Sequence, residues 1–281
     1  MIVLSQSMIK EMFYKLAPRE YCPRSFFEKY ILKKDCRVTT DPQRKGNYFE
    51  SLLLGGDVPQ IKGKGRSGEI PIDYARLQEQ AKLGKQELIN RLMFVHTGYN
   101  TQVRLRKHWK AENIPEDVYI EGVLDLFPTL FLIDGELRVA IIDVKTTKDL
   151  NSTWGNFAWG NFEEMDWLQG IFYHALVRDI DWQLNSNLSK VTINLIKNFE
   201  WTIQQDEIHF FFWVFNIKDP LENKFLEVKY DYDKHKYLTN SIHMAVHEML
   251  YQQSRGYPER PGNHCLECLL DCTNRKLIKT V

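Results

Sequence analysis

The chain has 281 residues, 43% hydrophobic and 13% aromatic, with 37 Lys and Arg balanced by 37 Asp and Glu. That length and apolar fraction support a large core, as one elaborated domain or a core with an appendage. Zero net charge excludes an overall field drawing the molecule onto nucleic acid, and no apolar run is long enough to span a bilayer.

The first residues, Met1-Ile2-Val3-Leu4-Ser5-Gln6, lack the charged and apolar regions of a signal peptide. A cytoplasmic protein without a membrane partner is therefore expected. In that compartment its five Cys are reduced, metal-binding or incidental rather than disulfide-linked. Charge is uneven locally: residues 1–66 carry thirteen Lys/Arg against seven Asp/Glu. This is either a polyanion-binding face or a solvated basic surface.

Residues 5–35 read as helical, with Ser5 or Ser7 capping a first helix to Leu16, stopped by Pro18. Pro23 starts a second, with Phe26, Phe27, Tyr30 and Ile31 on one face. Residues 45–54 read as a short helix and the Gly- and Lys-rich stretch 55–71 as a loop. Residues 73–95 have helical spacing, with Leu77, Ala81, Leu88 and Leu92 inward. Strands follow at 101–107, 118–127, 129–133 and 137–144, with Asp134-Gly135 as a hairpin turn. Residues 163–178 read as helix, 190–198, 207–217 and 224–232 as strands, and 233–253 as a closing helix. This order favours an α/β fold with a mixed sheet between helices. It divides into an N-terminal helical segment (1–45), a core (46–232) and a C-terminal segment (233–281), all within one domain.

Asp143-Val144-Lys145 ends one of these strands. Alternation puts Asp143 and Lys145 on one face and Val144 on the other. Ile141 and Ile142 make both faces apolar before that point, so the strand is expected to be central and covered on both sides. Asp125 ends the strand expected to pair with it. Glu50 lies on the 45–54 helix, and Gln169 and Tyr173 share one face of a later helix. A hard cation such as Mg²⁺ or Mn²⁺ takes oxygen ligands, which Glu50, Asp125, Asp143 and the Val144 carbonyl can supply. Lys145 can orient or deprotonate a water, or neutralise charge on a phosphate. A surface ion pair at a strand end is the competing reading of the triplet alone.

The order G-x-x-x-E (Gly46 to Glu50), G-x-x-D (Gly122 to Asp125), D-x-K (Asp143 to Lys145) and Q-x-x-x-Y (Gln169 to Tyr173) resembles the PD-(D/E)xK nuclease superfamily. The likeness is to its RecB-like branch, which includes recombination exonucleases, CRISPR adaptation nucleases, AddB-type nucleases and phage exonucleases. The resemblance implies a restriction-endonuclease-like central mixed sheet flanked by helices, and cleavage of DNA. It makes Glu50 the first-motif acid, Asp125 and Asp143 the metal carboxylates and Lys145 the catalytic lysine. Gln169 and Tyr173 become the helix pair that orders substrate and site. Many RecB-like proteins have His where this chain has Glu50, which is closer to the phage exonucleases.

Cys265, Cys268 and Cys272 form C-x2-C-x3-C, and Cys22 lies far upstream. The set looks like the iron–sulfur staple of such nucleases. Four thiolates can hold a [4Fe–4S] cluster or Zn²⁺, tying the first helices to the last segment; Cys36 is the spare and second candidate for the fourth ligand, and unligated thiols are the competing reading. The expected function is a DNA exonuclease in recombination, repair or phage DNA processing, with DNA and recombination or repair proteins as partners. The alternatives are a non-cleaving DNA-binding scaffold of the same fold and a zinc-stapled RNA-processing nuclease.

Other features bear less weight. Trp154 to Phe162 repeats W-G-N-F, as a base-stacking loop or as cover for the sheet. Lys62, Lys64 and Arg66 contact phosphates or are merely solvated. His243 and His247 read as a packed or exposed pair, and His174 has no assigned role.

Overall fold

The structure is a computed structural model describing residues 1–13, 22–34, 39–61, 70–91, 100–110, 117–133, 135–147, 150, 167–204, 208–218 and 222–259. Its strands are β1 (Ile2–Leu4), β2 (Thr101–Trp109), β3 (Val118–Ile133), β4 (Glu136–Thr147), β5 (Ile208–Asn216) and β6 (Asn223–Glu227). Its helices are α1 (Gln6–Phe13), α2 (Pro23–Phe26, continued by a π-helical turn Phe27–Ile31), α3 (Asp41–Leu54) and α4 (Ile72–Arg91). They continue with α5 (Trp167–Val177), α6 (Lys190–Asn198), α7 (Glu200–Gln204) and α8 (Tyr232–Ser254). The chain divides into two compact units, residues 41–107 with 121–235 and residues 1–40 with 108–120 and 236–281.

In the larger unit β3 pairs with β2 on one side and antiparallel with β4 on the other. β4 runs parallel to β5, and β5 antiparallel to β6. This is the expected mixed sheet, and β4 is central in it. Parallel pairs need cover on both faces, and both faces have it. Ala140, Ile142, Val144, Phe211, Trp213 and Phe215 pack with Phe49 and Leu53 of α3 and Leu77, Ala81 and Leu88 of α4. Those helical residues recur at three- and four-residue steps, which makes one apolar stripe per helix. The other face takes α5, which is buried from Gln169 to Val177.

Two glycines set how closely α5 lies on the sheet. A β-carbon on Gly122 of β3 would stand 2.9 Å from the Tyr173 ring and 3.0 Å from Leu176. One on Gly170 would stand 2.9 Å from Val228 and 3.0 Å from Phe210. The glycine of the G-x-x-D motif therefore makes room for the tyrosine of Q-x-x-x-Y.

Several expectations are corrected. Residues 190–198 form α6, not a strand. Val191, Thr192, Ile193 and Ile196 suggested β structure. Ser189 instead caps the helix by accepting the Thr192 N–H at 3.0 Å, and Thr192, Leu195 and Ile196 are buried at helical spacing. The stretch 118–133 is one strand with a register shift between Leu126 and Thr129, not two strands. The last strand stops at Glu227 rather than 232, and α3 starts four residues early, at Asp41. Ile31 is exposed, and the π-helical turn accounts for its leaving the face shared by Phe26. Leu16, Pro18, Leu92, Cys36, Asp134 and the lysines of the 62–69 loop lie outside the described residues, as do the W-G-N-F repeat and Cys265, Cys268 and Cys272.

In the smaller unit β1, which the sequence did not suggest, pairs in parallel with residues 118–120. Arg24 forms an ion pair with Glu259, and the Phe27 and Tyr257 rings stack at 4.5 Å. These contacts join the segment after Cys22 to the residues after α8. No described helix is long and apolar enough to cross a membrane.

His174 on α5 is buried, and its Nε2 has no hydrogen-bond partner among the described residues. Burial, helped by His209 and Arg178, pushes its pKa down to about 4. The folded state therefore keeps His174 neutral where the unfolded chain protonates it. The unfolded state binds more protons between pH 6.5 and 4, so stability falls as pH falls through that window. We expect His174→Phe to remove about 2 kcal/mol of the stability lost between pH 7 and pH 4.5, as read by urea unfolding at the two pH values.

Candidate active site

Parallel register fixes the centre of the site. β4 pairs Asp143 with Phe212 and Lys145 with Val214 of β5. Antiparallel register pairs Leu126 with Ile142, which brings Asp125 alongside Asp143. Strand alternation sends Val144 into the core with α3 and α4, and Asp143 and Lys145 to the opposite face.

Each polar side chain is held. Asp143, only 3% exposed, accepts a hydrogen bond from Gln169 Nε2 at 2.7 Å on Oδ1 and pairs with the Lys145 ammonium on Oδ2. Lys145 is about one-third exposed and lies 5.7 Å from the Phe212 ring centre. Asp125 Oδ2 accepts the Val144 N–H at 2.8 Å. The Tyr173 hydroxyl donates to the Val123 carbonyl at 2.9 Å and lies 3.4 Å from Gln169 Nε2, so Q-x-x-x-Y links α5 to both acid-bearing strands. Glu50 comes from α3 and is electrostatically linked to Lys145, Asp143 and Asp125. All six site residues read from the sequence thus come together on one sheet and the helices that flank it.

Electrostatics set the character of the site. Burial raises Asp125 well above the usual carboxylate range, the charges of Asp143 and Glu50 raise it further, and Lys145 and the Val144 N–H only partly offset this. Burial also raises Glu50, against the pull of Lys145. Among the described residues Lys145 is the cation that acts on both Asp125 and Glu50, and it does not outweigh their burial. Their donors are all oxygen, which suits a hard divalent cation. Among the described residues no three His, Cys, Asp or Glu side chains stand arranged as a ready metal cage. The acids are instead bound by internal donors, Lys145 on Asp143 and Gln102 on the other two.

Gln102 is the residue that sequence reasoning missed. Its Nε2 donates to Glu50 Oε1 at 2.9 Å and to Asp125 Oδ1 at 3.0 Å. Its place in the motif-poor run Thr101-Gln102-Val103 gave no signal. Cys22 is buried at the N-cap of α2. Its proposed partner thiols lie outside the described residues.

No family model and no curated protein matches the sequence. A crystal structure from Eubacterium rectale, named "Putative exonuclease", aligns over 98% of this chain and 87% of its own, with a TM-score of 0.53 and 14% identity. The likeness is one of fold. Both share an α/β fold, which in this chain is a central mixed sheet flanked by helices.

Proposed function

We propose that this protein is a cation-dependent deoxyribonuclease, acting as an exonuclease. The observation that carries the reading is the meeting of Asp125, Asp143 and Lys145 side by side on the paired strands β3 and β4, just before the register shift in β3, with Glu50 facing them. The fold shared with a protein named as an exonuclease supports it. Glu50, Asp125, Asp143 and the Val144 carbonyl would hold Mg²⁺ or Mn²⁺, which supplies Lewis acidity toward phosphoryl oxygens.

The chain's own residues do the rest. Lys145, a compact charge on a mobile stem, draws the scissile phosphate in and neutralises charge growing on its oxygens. Asp143 fixes the direction of that ammonium. Gln169 locks Asp143 from α5. Tyr173 ties α5 to the β3 backbone at Val123, two residues before Asp125, which helps to hold the acids in place.

A time course on end-labelled linear and circular DNA, with and without Mn²⁺, tests the proposal. Divalent-dependent loss of linear DNA with circles intact supports an exonuclease, and nicked circles would make it an endonuclease. DNA binding without cleavage would favour the scaffold alternative, and cleavage of RNA alone would move the substrate class.

A cysteine staple of Cys22, Cys265, Cys268 and Cys272 holding [4Fe–4S], with Zn²⁺ as the alternative metal, belongs to the same proposal. Protein purified without oxygen is expected to be brown. A colourless preparation with stoichiometric zinc would reject the cluster.

A further inference from the structure

Gln102 touches two of the acids, and the proposed function leaves it unused. Its backbone has φ +53°, a left-handed conformation that residues with a β-carbon rarely adopt inside a strand. The backbone around it is pinned. The Asn100 carbonyl accepts the Phe127 N–H at 2.8 Å, Asn100 Nδ2 donates to the Pro128 carbonyl at 3.1 Å, and Val103 is buried. Gln102 itself is exposed, yet its amide nitrogen spends both hydrogens on two acids from different elements, Glu50 of α3 and Asp125 of β3. An exposed glutamine is usually free to move. This one is aimed by a strained backbone at the point between two carboxylates where a shared cation would sit.

We propose that Gln102 is a gate on the cation site: its amide holds Glu50 and Asp125 together while no cation is bound, and it swings away before a divalent cation bridges them. This rests on the cation-dependent reading above. Gln102 is a positioning residue, acting through Glu50 and Asp125. Hydrogen bonds to ionised acceptors are stronger than those between neutral groups, so breaking two of them lowers the affinity for the cation. Solvent exposure gives the side chain room to leave.

The test is Mn²⁺ affinity, by titration of the full-length protein followed by electron paramagnetic resonance, independent of any cleavage. Gln102→Gly removes the side chain at a φ that glycine adopts freely. Gln102→Met keeps the length and drops the donors, and serves if the glycine variant loses its thermal transition. Both variants are expected to bind Mn²⁺ at least about tenfold more tightly than the parent, the scale of one of the two charge-assisted hydrogen bonds that each variant removes from the cation-free state. Unchanged affinity would overturn the gate. Weaker affinity would overturn it too, because a strut or a ligand loses binding when removed. A parent that binds no Mn²⁺ would reject the cation site itself, and the gate with it.

Discussion

Lys145→Ala is expected to slow DNA cleavage by at least ~10³-fold, or about 4 kcal/mol of transition-state stabilisation. Asp143→Asn should lose as much. Asp143 is the buried partner that aims the lysine, so each change disables the same unit, and the double variant should be little worse than either single one. Lys145→Arg should recover only a small part, because a planar fork does not replace a compact ammonium. The comparison is kcat/KM on one labelled substrate, with thermal melts showing that each variant folds. Either variant cutting as well as the parent removes Asp143 and Lys145 from the chemistry.

Asp125→Asn should lose cleavage on the same scale while making the cation-free protein more stable. Asp125 is buried beside two other acids, and its folded pKa lies well above 3.8. The folded state therefore holds the proton more tightly than the unfolded chain does. The ionised group costs stability at neutral pH, and that cost fades as pH falls through the folded pKa. A neutral amide removes the cost and its Oδ1 still accepts the Val144 N–H, while the Gln102 hydrogen bond is lost. In chelator at pH 7.5 the variant should melt several degrees above the parent, on a scale of about 2–4 °C per kcal/mol for a chain approaching this size. Adding Mg²⁺ should raise the melting temperature of the parent and leave the variant nearly unchanged. A variant that melts lower in chelator would show that Asp125 is not the strained charge at this site.

The site was legible because its signals are local. Asp143-Val144-Lys145 follows Ile141-Ile142 on a strand apolar on both faces, which marks a central strand, and central strands end where ligands bind. Gly122 was legible as part of a pattern, but its physical reason, a Tyr173 ring 2.9 Å from where a β-carbon would sit, exists only in three dimensions. Gln102 was not legible. Its role comes from a left-handed backbone and from Glu50, fifty-two positions away. Residues 190–198 misled because β-branched residues raise strand propensity, while the cap at Ser189 and the burial of Leu195 and Ile196 decide for helix. β1 is only three residues long, too short for an alternating pattern to rise above its surroundings.

The central claim is that Glu50, Asp125 and Asp143 serve one cation. Anomalous diffraction from crystals soaked in Mn²⁺ measures it most directly. A peak bonded to oxygens of Asp125 and Asp143, with Glu50 facing it and the Gln102 amide displaced, is the expected result. Crystals saturated with Mn²⁺ that show no peak among these three acids, or that show the acids turned away from one another, would contradict it.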